Sequence, residues 1–485
     1  MLSRRAVIMG ALAASANYPR LARAQTSRVV IPGGNAPPTI LQLQRRIIEV
    51  NGRPASVFGI HQPDGTPGIT TDVGKRFRVR VENNIDEPSL IHWHGLTPPW
   101  RQDGVPGISG PAIPPGGSAE YDFPLRFGGT FWMHSHQGLQ EQLLMAAPLI
   151  IRDQRDEPDQ QEVVVMLADF SFTPPEQIFE GLKKAPGMAT MAGRPGAAPA
   201  SGMAAMPGMS KGDAAAPDLN DVTYDAFLAN GRTLADPEVV KVEPGGRVLL
   251  RVINSSSMSA YHVDLGPLEG QLIAVDGFPV MPVREHRFPI AVAQRLDIRL
   301  AIPREPGVHP VLAVLEGERK QTGIVLVAGG APVARLAEMA STPSPALSLD
   351  LERRLRALQP LMPRKADRVH TLNLTGAMAG YIWSINDTVW NPNVPPLPLA
   401  EGERVELVLV NRTMMPHPMH LHGHEIQVVE INGERFPGAV RDTVLVPPGQ
   451  RVVVAFDATN PGFWACHCHL LYHLDAGMFT TFCYV

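Results

Sequence analysis

Short apolar runs rich in valine recur along the chain, and glycine, proline or asparagine bounds each of them. Short runs with such boundaries predict β-strands, because helices need longer periodic segments. The clearest runs are residues 77–81, 163–167, 248–253, 405–410 and 452–456. Turns built from proline and glycine stand before strand-like runs at residues 114–117, 244–246 and 447–449. The pattern predicts an all-β chain made of three copies of one Greek-key β-sandwich unit.

Two segments interrupt this pattern. Residues 185–216 are rich in alanine, glycine, proline and methionine without strand or helix periodicity, and they predict a long surface loop. Residues 338–363 join a Ser-Thr-Pro-Ser-Pro stretch to a short amphipathic stretch, which is typical of a linker. The predicted divisions are a leader, 1–24, and three sandwich domains, 25–157, 158–337 and 338–485, the last of which includes the linker.

The composition agrees with a turn-rich β protein. The 485 residues include 44 glycines and 48 prolines, too many for a helical bundle. A hydrophobic share of 44% excludes wholesale disorder, and a formal net charge of −4 argues against nucleic acid or an anionic membrane as partner. Three cysteines cannot form a disulfide framework.

The N-terminus has the architecture of an export signal. Arg4 and Arg5 precede an apolar run at residues 6–16, and Ala22-Arg23-Ala24 offers a small-residue cleavage site. The paired arginines favour a twin-arginine signal, read by the twin-arginine export machinery, over an ordinary secretory signal. We therefore expect an exported, periplasmic protein without a membrane span, and we expect it to be a monomer.

Histidine is the unusual residue, with 16 copies, many in His-X-His pairs. The pairs are His92/His94, His134/His136, His420/His422 and His467/His469. Residues two apart in a strand point to the same side, so each pair can offer two imidazoles to one centre. One such pair is also compatible with a polar edge strand, but four pairs give eight nitrogen ligands, which predicts a multinuclear metal cluster. Two pairs lie near each end of the chain, so this cluster should join the first and last domains.

The last pair also predicts a second kind of metal site. Cys468 lies between His467 and His469 and therefore faces the opposite side of the strand. With His473, Met478 and an upstream histidine it forms the ligand set of a blue-copper electron-transfer centre. The backbone of the His-Cys-His tripeptide would connect that centre to the cluster by a short covalent path.

These motifs resemble the four copper signatures of the multicopper oxidases, a family that includes laccases and bacterial copper-efflux oxidases. The motifs are His92-Trp93-His94-Gly95, His134-Ser135-His136, His417-Pro418-Met419-His420-Leu421-His422-Gly423-His424, and His467-Cys468-His469-Leu470-Leu471-Tyr472-His473 with Gly477-Met478. The resemblance covers essentially the whole chain after the leader. It implies three consecutive cupredoxin-like Greek-key β-barrel or sandwich domains, which agrees with the strand pattern.

The resemblance implies four copper ions with distinct ligands. The implied type 1 ligands are His417, Cys468, His473 and Met478. The implied type 2 ligands are His92 and His420. The implied type 3 ligands are His94, His134, His136, His422, His467 and His469. The other six histidines are interpreted as surface or hydrogen-bonded residues, with His424 the one closest to a motif; they are His61, His262, His286, His309, His370 and His424.

The family reaction transfers single electrons from a reducing substrate to the type 1 copper. Cys468 links this copper to the three-copper cluster, where dioxygen is reduced to water. This reaction consumes protons, so a carboxylate beside the cluster is expected. Asp103 is the candidate, because a carboxylate at this position in related enzymes is assigned to proton delivery. The alternative for Asp103 is a plain turn residue, since Asp-Gly is a common turn dipeptide.

Two classes of reductant remain open. Thioethers prefer cuprous ion, so a methionine-rich loop favours cuprous ion as substrate, while laccase-type phenol oxidation is the alternative. One alternative is that the methionine-rich loop is only a flexible connection. Another is that the chain is a copper-binding protein without catalytic turnover. The candidate methionines are Met188, Met191, Met203, Met206 and Met209 in the loop, with Met414 and Met415 before His417. Cys466 and Cys483 are interpreted either as two thiols or as a disulfide.

Overall fold

β-Strands dominate the chain in this computed structural model, which describes residues 37–153, 159–184 and 219–485. The strands of these described residues form six sheets, and each third of the chain contributes two of them. We call them the N-terminal, middle and C-terminal sheet pairs. The predicted all-β class is thereby confirmed.

The N-terminal sheet pair spans residues 39–152, with the strand orders β2-β1-β4-β6 and β3-β8-β7-β5. Its strands are β1 Thr39–Val50, β2 Arg53–His61, β3 Ile69–Asp72, β4 Arg76–Asn83, β5 Ile91–His94, β6 Ser118–Pro124, β7 Gly129–Ser135 and β8 Ala146–Arg152. Two single-turn 3₁₀ helices, Trp100–Gln102 and Gln140–Leu143, lie in its connections.

The middle sheet pair spans residues 161–328, with the orders β10-β9-β12-β17-β14-β15 and β11-β19-β18-β13-β16. Its elements are β9 Gln161–Phe170, α1 Pro175–Lys184, β10 Ala226–Ala229, β11 Val239–Val242, β12 Arg247–Asn254, β13 Tyr261–Asp264, β14 Gly270–Val275, β15 Phe278–Glu285, β16 Arg287–Ile290, β17 Arg295–Ala301, β18 Gly307–Leu315 and β19 Gln321–Ala328.

The C-terminal sheet pair spans residues 368–484 and follows a connection that contains helix α2, Asp350–Arg354. One sheet has the order β21-β20-β23-β29-β25-β26 with β27 beside β25, and the other has the order β22-β31-β30-β24-β28. The elements are β20 Arg368–Ala377, β21 Ile382–Ile385, β22 Leu397–Leu399, β23 Arg404–Asn411, β24 His417–Leu421, β25 Ile426–Ile431, β26 Glu434–Arg435, β27 Val440–Arg441, β28 Thr443–Val446, β29 Arg451–Asp457, β30 Phe463–Cys468, α3 Leu471–Asp475 and β31 Phe479–Tyr484.

The three sheet pairs repeat one local topology. In each, a central strand is parallel to one neighbour and antiparallel to the next: β4 with β1 and β6, β12 with β9 and β17, β23 with β20 and β29. All five valine-rich runs lie in strands of this kind or beside them, so those strand predictions are confirmed. Gly116, Gly245 and Gly449 sit in the predicted turns with φ of +72°, +73° and +69°, a conformation that favours glycine.

The predicted domain boundaries fall between sheet pairs. The connections between sheet pairs run from Arg152 to Gln161 and from Ala328 to Arg368. They contain the expected domain boundaries at 157 and 337, which stay predictions. The leader and the methionine-rich segment lie outside the described residues. Among the described helices none combines the length and the apolar character needed to cross a bilayer.

Candidate metal centres

Two neighbouring strands of the N-terminal sheet pair bring four predicted ligands together. His92 of β5 lies directly opposite His134 of β7 in the antiparallel register. Trp93 points to the other side of β5, where it is fully buried at 4.7 Å from the ring of Phe77. Since side chains alternate along a strand, His92 and His94 both project away from this core.

The C-terminal sheet pair repeats the arrangement. His420 of β24 lies opposite His467 of β30, and Met419 lies opposite Cys468. The alternation places His467 and His469 on one side of the chain and Cys468 on the other. The two sides of β30 therefore serve two separate clusters.

The first cluster contains one thiol and two imidazoles. Sγ of Cys468 lies 3.6 Å from Nδ1 of His417 and 3.9 Å from Nδ1 of His473, and the two Nδ1 atoms are 3.2 Å apart. Met478 is fully buried beside them: its N–H donates to the carbonyl of His473, and its carbonyl accepts from the N–H of Cys468. The backbone thus closes residues 468–478 around the cluster, which we call the mononuclear site.

The second cluster contains the remaining eight predicted histidine ligands, and we call it the polynuclear site. Its ligand atoms fall into overlapping groups whose members lie within 4.8 Å of one another. The groups are His92, His94 and His420; His94, His134 and His469; and His136, His422 and His467. The structure thus joins the two ends of the chain at one site, as the positions of the pairs predict.

Pairs of ring nitrogens in the polynuclear site face each other at short range. The Nε2 atoms of His92 and His420 are 3.4 Å apart, while Nε2 of His467 lies 3.2 Å from that of His136 and 2.9 Å from that of His422. The outer Nδ1–H groups of His92 and His420 donate instead to the backbone carbonyls of Asp103 and Asp442. Fixing the outer nitrogen in this way leaves the inner one with a free lone pair for a metal.

Three inner nitrogens are buried without any partner. They are Nδ1 of His94, Nε2 of His134 and Nε2 of His469, which belong to one of the groups. A buried polar atom without a partner is costly, and three such atoms converging on one point are the signature of a cation site. This arrangement fits metal ions held by imidazole, as copper is.

Burial keeps several imidazoles of the polynuclear site neutral. Desolvation, assisted by the neighbouring histidines, lowers the pKa well below the ordinary value for His94, His136 and His422, and it lowers the pKa of His467 to about 3. Neutral imidazole is the form that ligates metals, so the fold presents the ligands in their binding form near neutral pH.

Three buried carboxylates hold outer nitrogens of the polynuclear site. Asp103 Oδ2 lies 2.8 Å from Nδ1 of His422, Glu141 Oε2 lies 2.8 Å from Nδ1 of His134, and Asp442 Oδ1 lies 3.0 Å from Nε2 of His94. Asp103 is 2% exposed and ends a 3₁₀ turn, so it is both a turn residue and a neighbour of the cluster. Gly104 follows with φ +89°, and a Cβ there would lie 1.8 Å from the carbonyl oxygen of Ile91, so only glycine permits this close approach.

The mononuclear site has its own outer contacts. Nε2 of His417 lies 2.7 Å from Oγ1 of Thr413, and Nε2 of His473 lies 2.9 Å from Oδ2 of Asp221. Asp221 belongs to the middle sheet pair and also accepts a hydrogen bond from the hydroxyl of Tyr381 at 2.5 Å. Its other oxygen, Oδ1, is buried without a hydrogen-bond partner.

Several other candidates lie elsewhere. Met414 is 84% exposed, Met415 is buried, and the five loop methionines lie outside the described residues. His424 uses both ring nitrogens in hydrogen bonds, to the carbonyl of His422 and to the hydroxyl of Tyr484, and so offers no free ligand atom.

The two cysteines outside the motif are free thiols. Cys466 lies opposite Thr480 and Cys483 lies opposite Phe463 in the β30–β31 pair. Phe463 is three positions from Cys466, so alternation turns the two thiols to opposite sides of the sheet.

Sequence reasoning missed Glu141, Asp221 and Asp442. Glu141 stands five residues after His136, and Asp442 stands 18 residues after His424, so an acid near a ligand motif is a usable though weak signal. Asp221 has no such signal, because it lies 252 residues from His473 in the chain.

Comparisons with known proteins agree with the geometry. Three sequence models of the multicopper oxidase family match residues 42–156, 197–328 and 363–485. Multicopper oxidase MmcO of Mycobacterium tuberculosis is 31% identical, over 86% of this chain and 81% of the relative. A copper resistance protein A homolog of Pseudomonas syringae pv. tomato is 28% identical, over 89% and 90%. The structure of a laccase from Botrytis aclada superimposes with a TM-score of 0.73 at 21% identity, over 92% of this chain and 88% of that one.

Proposed function

The chain belongs to the multicopper oxidase family, and from this membership we propose that it oxidises cuprous ion at the mononuclear site and reduces dioxygen to water at the polynuclear site. Bound copper would supply one-electron redox chemistry at the first site and oxygen reduction at the second. The chain itself supplies the ligands, their orientation, the path between the sites and the protons.

We propose that the two clusters hold four copper ions with the ligands expected from the motifs. His417, Cys468, His473 and Met478 form the type 1 set, and the eight histidines of the polynuclear site form the type 2 and type 3 sets. The buried inner nitrogens and the neutral imidazoles support this assignment. Cys468 is bonded through the backbone to His467 and His469, which provides the short covalent connection between the sites.

The observation that carries the choice of substrate is the position of the residues that flank the methionine-rich segment. Before the segment, Phe179 of α1 stacks on Tyr472, with ring centroids 5.8 Å apart. After it, Asp221 binds Nε2 of His473, the residue next to Tyr472. One flank of a segment with five methionines therefore contacts His473, and the other contacts the residue before it, close to where cuprous ion would deliver its electron.

Asp221 completes this entry point with a negative charge. Its side chain is 1% exposed, and Oδ1 is available as an acceptor beside the edge of His473. Such a deeply placed carboxylate favours a small cation over an aromatic ring. In the copper-oxidising branch of the family, an acid that assists cuprous binding stands shortly before the third motif. This chain has Thr413 at that position, and its hydroxyl contacts Nε2 of His417 instead.

Phenol oxidation of the laccase kind is the second candidate. A phenol would deliver its electron through the same ligand, His473, without reaching the buried oxygens of Asp221. The two activities are compatible, because both would use the same edge of His473.

Asp103 is the proposed proton donor of the polynuclear site. It touches ligands of two groups, through Oδ2 to His422 and through its carbonyl to His92. Its Oδ1 makes no well-aligned hydrogen bond, although Nδ1 of His92 lies 3.2 Å away, and it is the atom at which a proton can be held between turnovers.

We also propose that the protein acts in the periplasm after export and removal of residues 1–24. The arginine pair and the apolar run support this proposal.

Oxygen uptake by the copper-loaded enzyme tests the substrate. Cuprous ion and dimethoxyphenol are offered to the wild type, to a variant lacking residues 186–211, and to a variant with the five loop methionines changed to leucine. Leucine keeps size and apolarity but removes the thioether, so it separates metal binding from loop bulk. We expect both variants to lose most cuprous oxidation and to keep phenol oxidation. Unchanged cuprous oxidation in the leucine variant would reject the proposed substrate site.

A further inference from the structure

No described residue of the middle sheet pair belongs to either group of predicted ligands, yet one of its residues acts on the polynuclear site through a neighbour. Arg295, the first residue of β17, is fully buried. Its guanidinium forms a two-armed ion pair with Asp442, with Nη1 at 2.8 Å from Oδ1 and Nη2 bound to Oδ2. Asp442 Oδ1 in turn lies 3.0 Å from Nε2 of His94. One residue from each sheet pair thus forms a continuous chain that ends at a metal ligand.

Every N–H group of the Arg295 guanidinium donates a hydrogen bond. Besides the two bonds to Asp442, Nε donates to the carbonyl of Thr130, Nη1 to that of Ala293 and Nη2 to that of Asp276. A guanidinium has five N–H donors in a fixed plane, so all five are satisfied and its orientation is determined. The geometry of the Asp442 carboxylate follows from this fixed fork.

The main chain beside His94 is shaped around the same ion pair. Gly95 has φ +91°, and a Cβ there would lie 2.6 Å from Nη2 of Arg295 and 2.7 Å from Oδ2 of Asp442. The absence of a side chain at position 95 is therefore what lets the ion pair approach the ligand strand β5.

Asp442 differs from the other two carboxylates that hold ligands. Among the described residues, neither Asp103 nor Glu141 has a lysine or arginine nitrogen within 4 Å, whereas Asp442 has Arg295. A buried carboxylate is costly without a cation, and losing its orientation would leave Nε2 of His94 with only the hydroxyl of Thr443, 3.1 Å away. Nδ1 of His94 is the inner nitrogen that faces the polynuclear site.

We propose that Arg295 is a positioning residue for the polynuclear site: by clamping Asp442 it fixes Nε2 of His94 and so directs Nδ1 towards the metal. A buried residue of the middle sheet pair thereby supports cluster assembly at a site formed by the other two sheet pairs. The proposal rests on the ligand assignment made above and is independent of the reducing substrate.

The test compares Arg295→Gln with Arg404→Gln in the copper-loaded full chain. Arg404 is a matched control, because it is also buried and forms a two-armed pair, with Asp457 at 2.7 and 3.1 Å, away from both clusters. Copper per chain, the blue absorption of the mononuclear site and the copper detected by electron paramagnetic resonance are measured during titration with a chelator. Melting of the copper-free proteins shows whether each variant folds.

We expect Arg295→Gln to keep the blue absorption. It should release the copper of the polynuclear site at a chelator concentration at least roughly 10-fold lower than the wild type does, which is the usual effect of losing a residue that supports a metal ligand. Arg295→Lys should not restore retention, because one ammonium group cannot replace the planar fork. Asp442→Asn should weaken retention as well, and combining it with Arg295→Gln should add little, since both act through one chain of contacts.

Wild-type copper retention in Arg295→Gln, or equal loss in Arg404→Gln, would overturn the proposal. If Arg295→Gln does not fold, the decision passes to Asp442→Asn, and normal retention in that variant overturns it too. A wild-type protein that never binds copper at the polynuclear site would instead disprove the ligand assignment, so the two failures are distinguishable.

Discussion

Nε2 of His473 donates a 2.9 Å hydrogen bond to Oδ2 of Asp221, so a carboxylate of the middle sheet pair lies directly against a ligand of the mononuclear site. This contact connects three features that are far apart in the chain: a predicted metal ligand, the described residues that follow the methionine-rich segment, and the hydroxyl of Tyr381. Under the proposed function, this contact marks the side of His473 from which the electron of the reductant would enter.

The first prediction concerns this contact. Asp221→Asn should lower kcat/KM for cuprous oxidation about 10-fold, because the charge that attracts the cation is lost while the ligands remain. It should also raise the reduction potential of the mononuclear site, since a carboxylate partner makes the imidazole a stronger donor to the oxidised ion. Oxygen uptake and redox titration of the blue absorption measure the two effects.

Glu180→Gln is the control for this prediction, because Glu180 is an exposed acid of α1 that follows Phe179 in the chain. It should leave both quantities near the wild-type values. Equal behaviour of the two variants would mean that Asp221 has no specific role in electron entry.

The second prediction compares two cysteines that lie two positions apart on β30. Cys468→Ser should abolish the blue absorption, because the thiolate is the ligand that produces it, while copper in the polynuclear site stays bound. Cys466→Ser should keep the colour, since the Cys466 thiol is buried but belongs to no cluster of ligand atoms in the described residues. Visible absorption and copper analysis of both variants decide. Retained colour in Cys468→Ser would reject Cys468 as the ligand, and loss of colour in both variants would mean that Cys466 is also required.

Sequence patterns predicted what depends on local alternation. The His-X-His spacing was sufficient to place His92 and His94 on one side of β5, and the valine-rich runs to place β12 and β23, because side-chain direction is a property of the strand itself. Asp221 and Arg295 could not be predicted in this way. They act on His473 and, through Asp442, on His94 across sheet pairs, and such contacts depend on three-dimensional packing that no short motif encodes.

The third prediction is a loss of stability of the copper-free protein in acid. Burial lowers the pKa of His94, His136 and His422 in the folded state, and that of His467 to about 3, whereas unfolded histidine titrates near pH 6.5. Below pH 6.5 the unfolded chain therefore binds more protons than the folded chain, and stability falls as the pH falls. Each extra proton contributes about 1.4 kcal/mol per pH unit, so the melting temperature should fall steeply between pH 6.5 and pH 4. Calorimetry across this range checks the slope, and a flat profile would contradict burial of neutral ligands.

The last prediction concerns Glu316, which lies at the end of β18 and is 3% exposed. Burial raises the pKa of its carboxyl to about 7, although the Leu347 N–H that it accepts favours the charged form. Ionisation above pH 7 therefore costs stability, which is full below the unfolded pKa near 4.5 and declines as the pH rises towards 7. Glu316→Gln should remove this decline, because the amide oxygen still accepts the Leu347 N–H without carrying a charge.

The variant should accordingly raise the melting temperature by a few degrees at pH 8, corresponding to about 2 kcal/mol, and should leave it nearly unchanged at pH 5, where the carboxyl is already protonated. Glu318→Gln is the matched control, two residues away at the surface, where its side chain is 37% exposed and pairs with Lys320. It should shift the melting temperature little at either pH, since exposed ion pairs contribute little. An equal shift of Glu316→Gln at pH 5 and pH 8 would show that repacking, not the buried charge, causes the change.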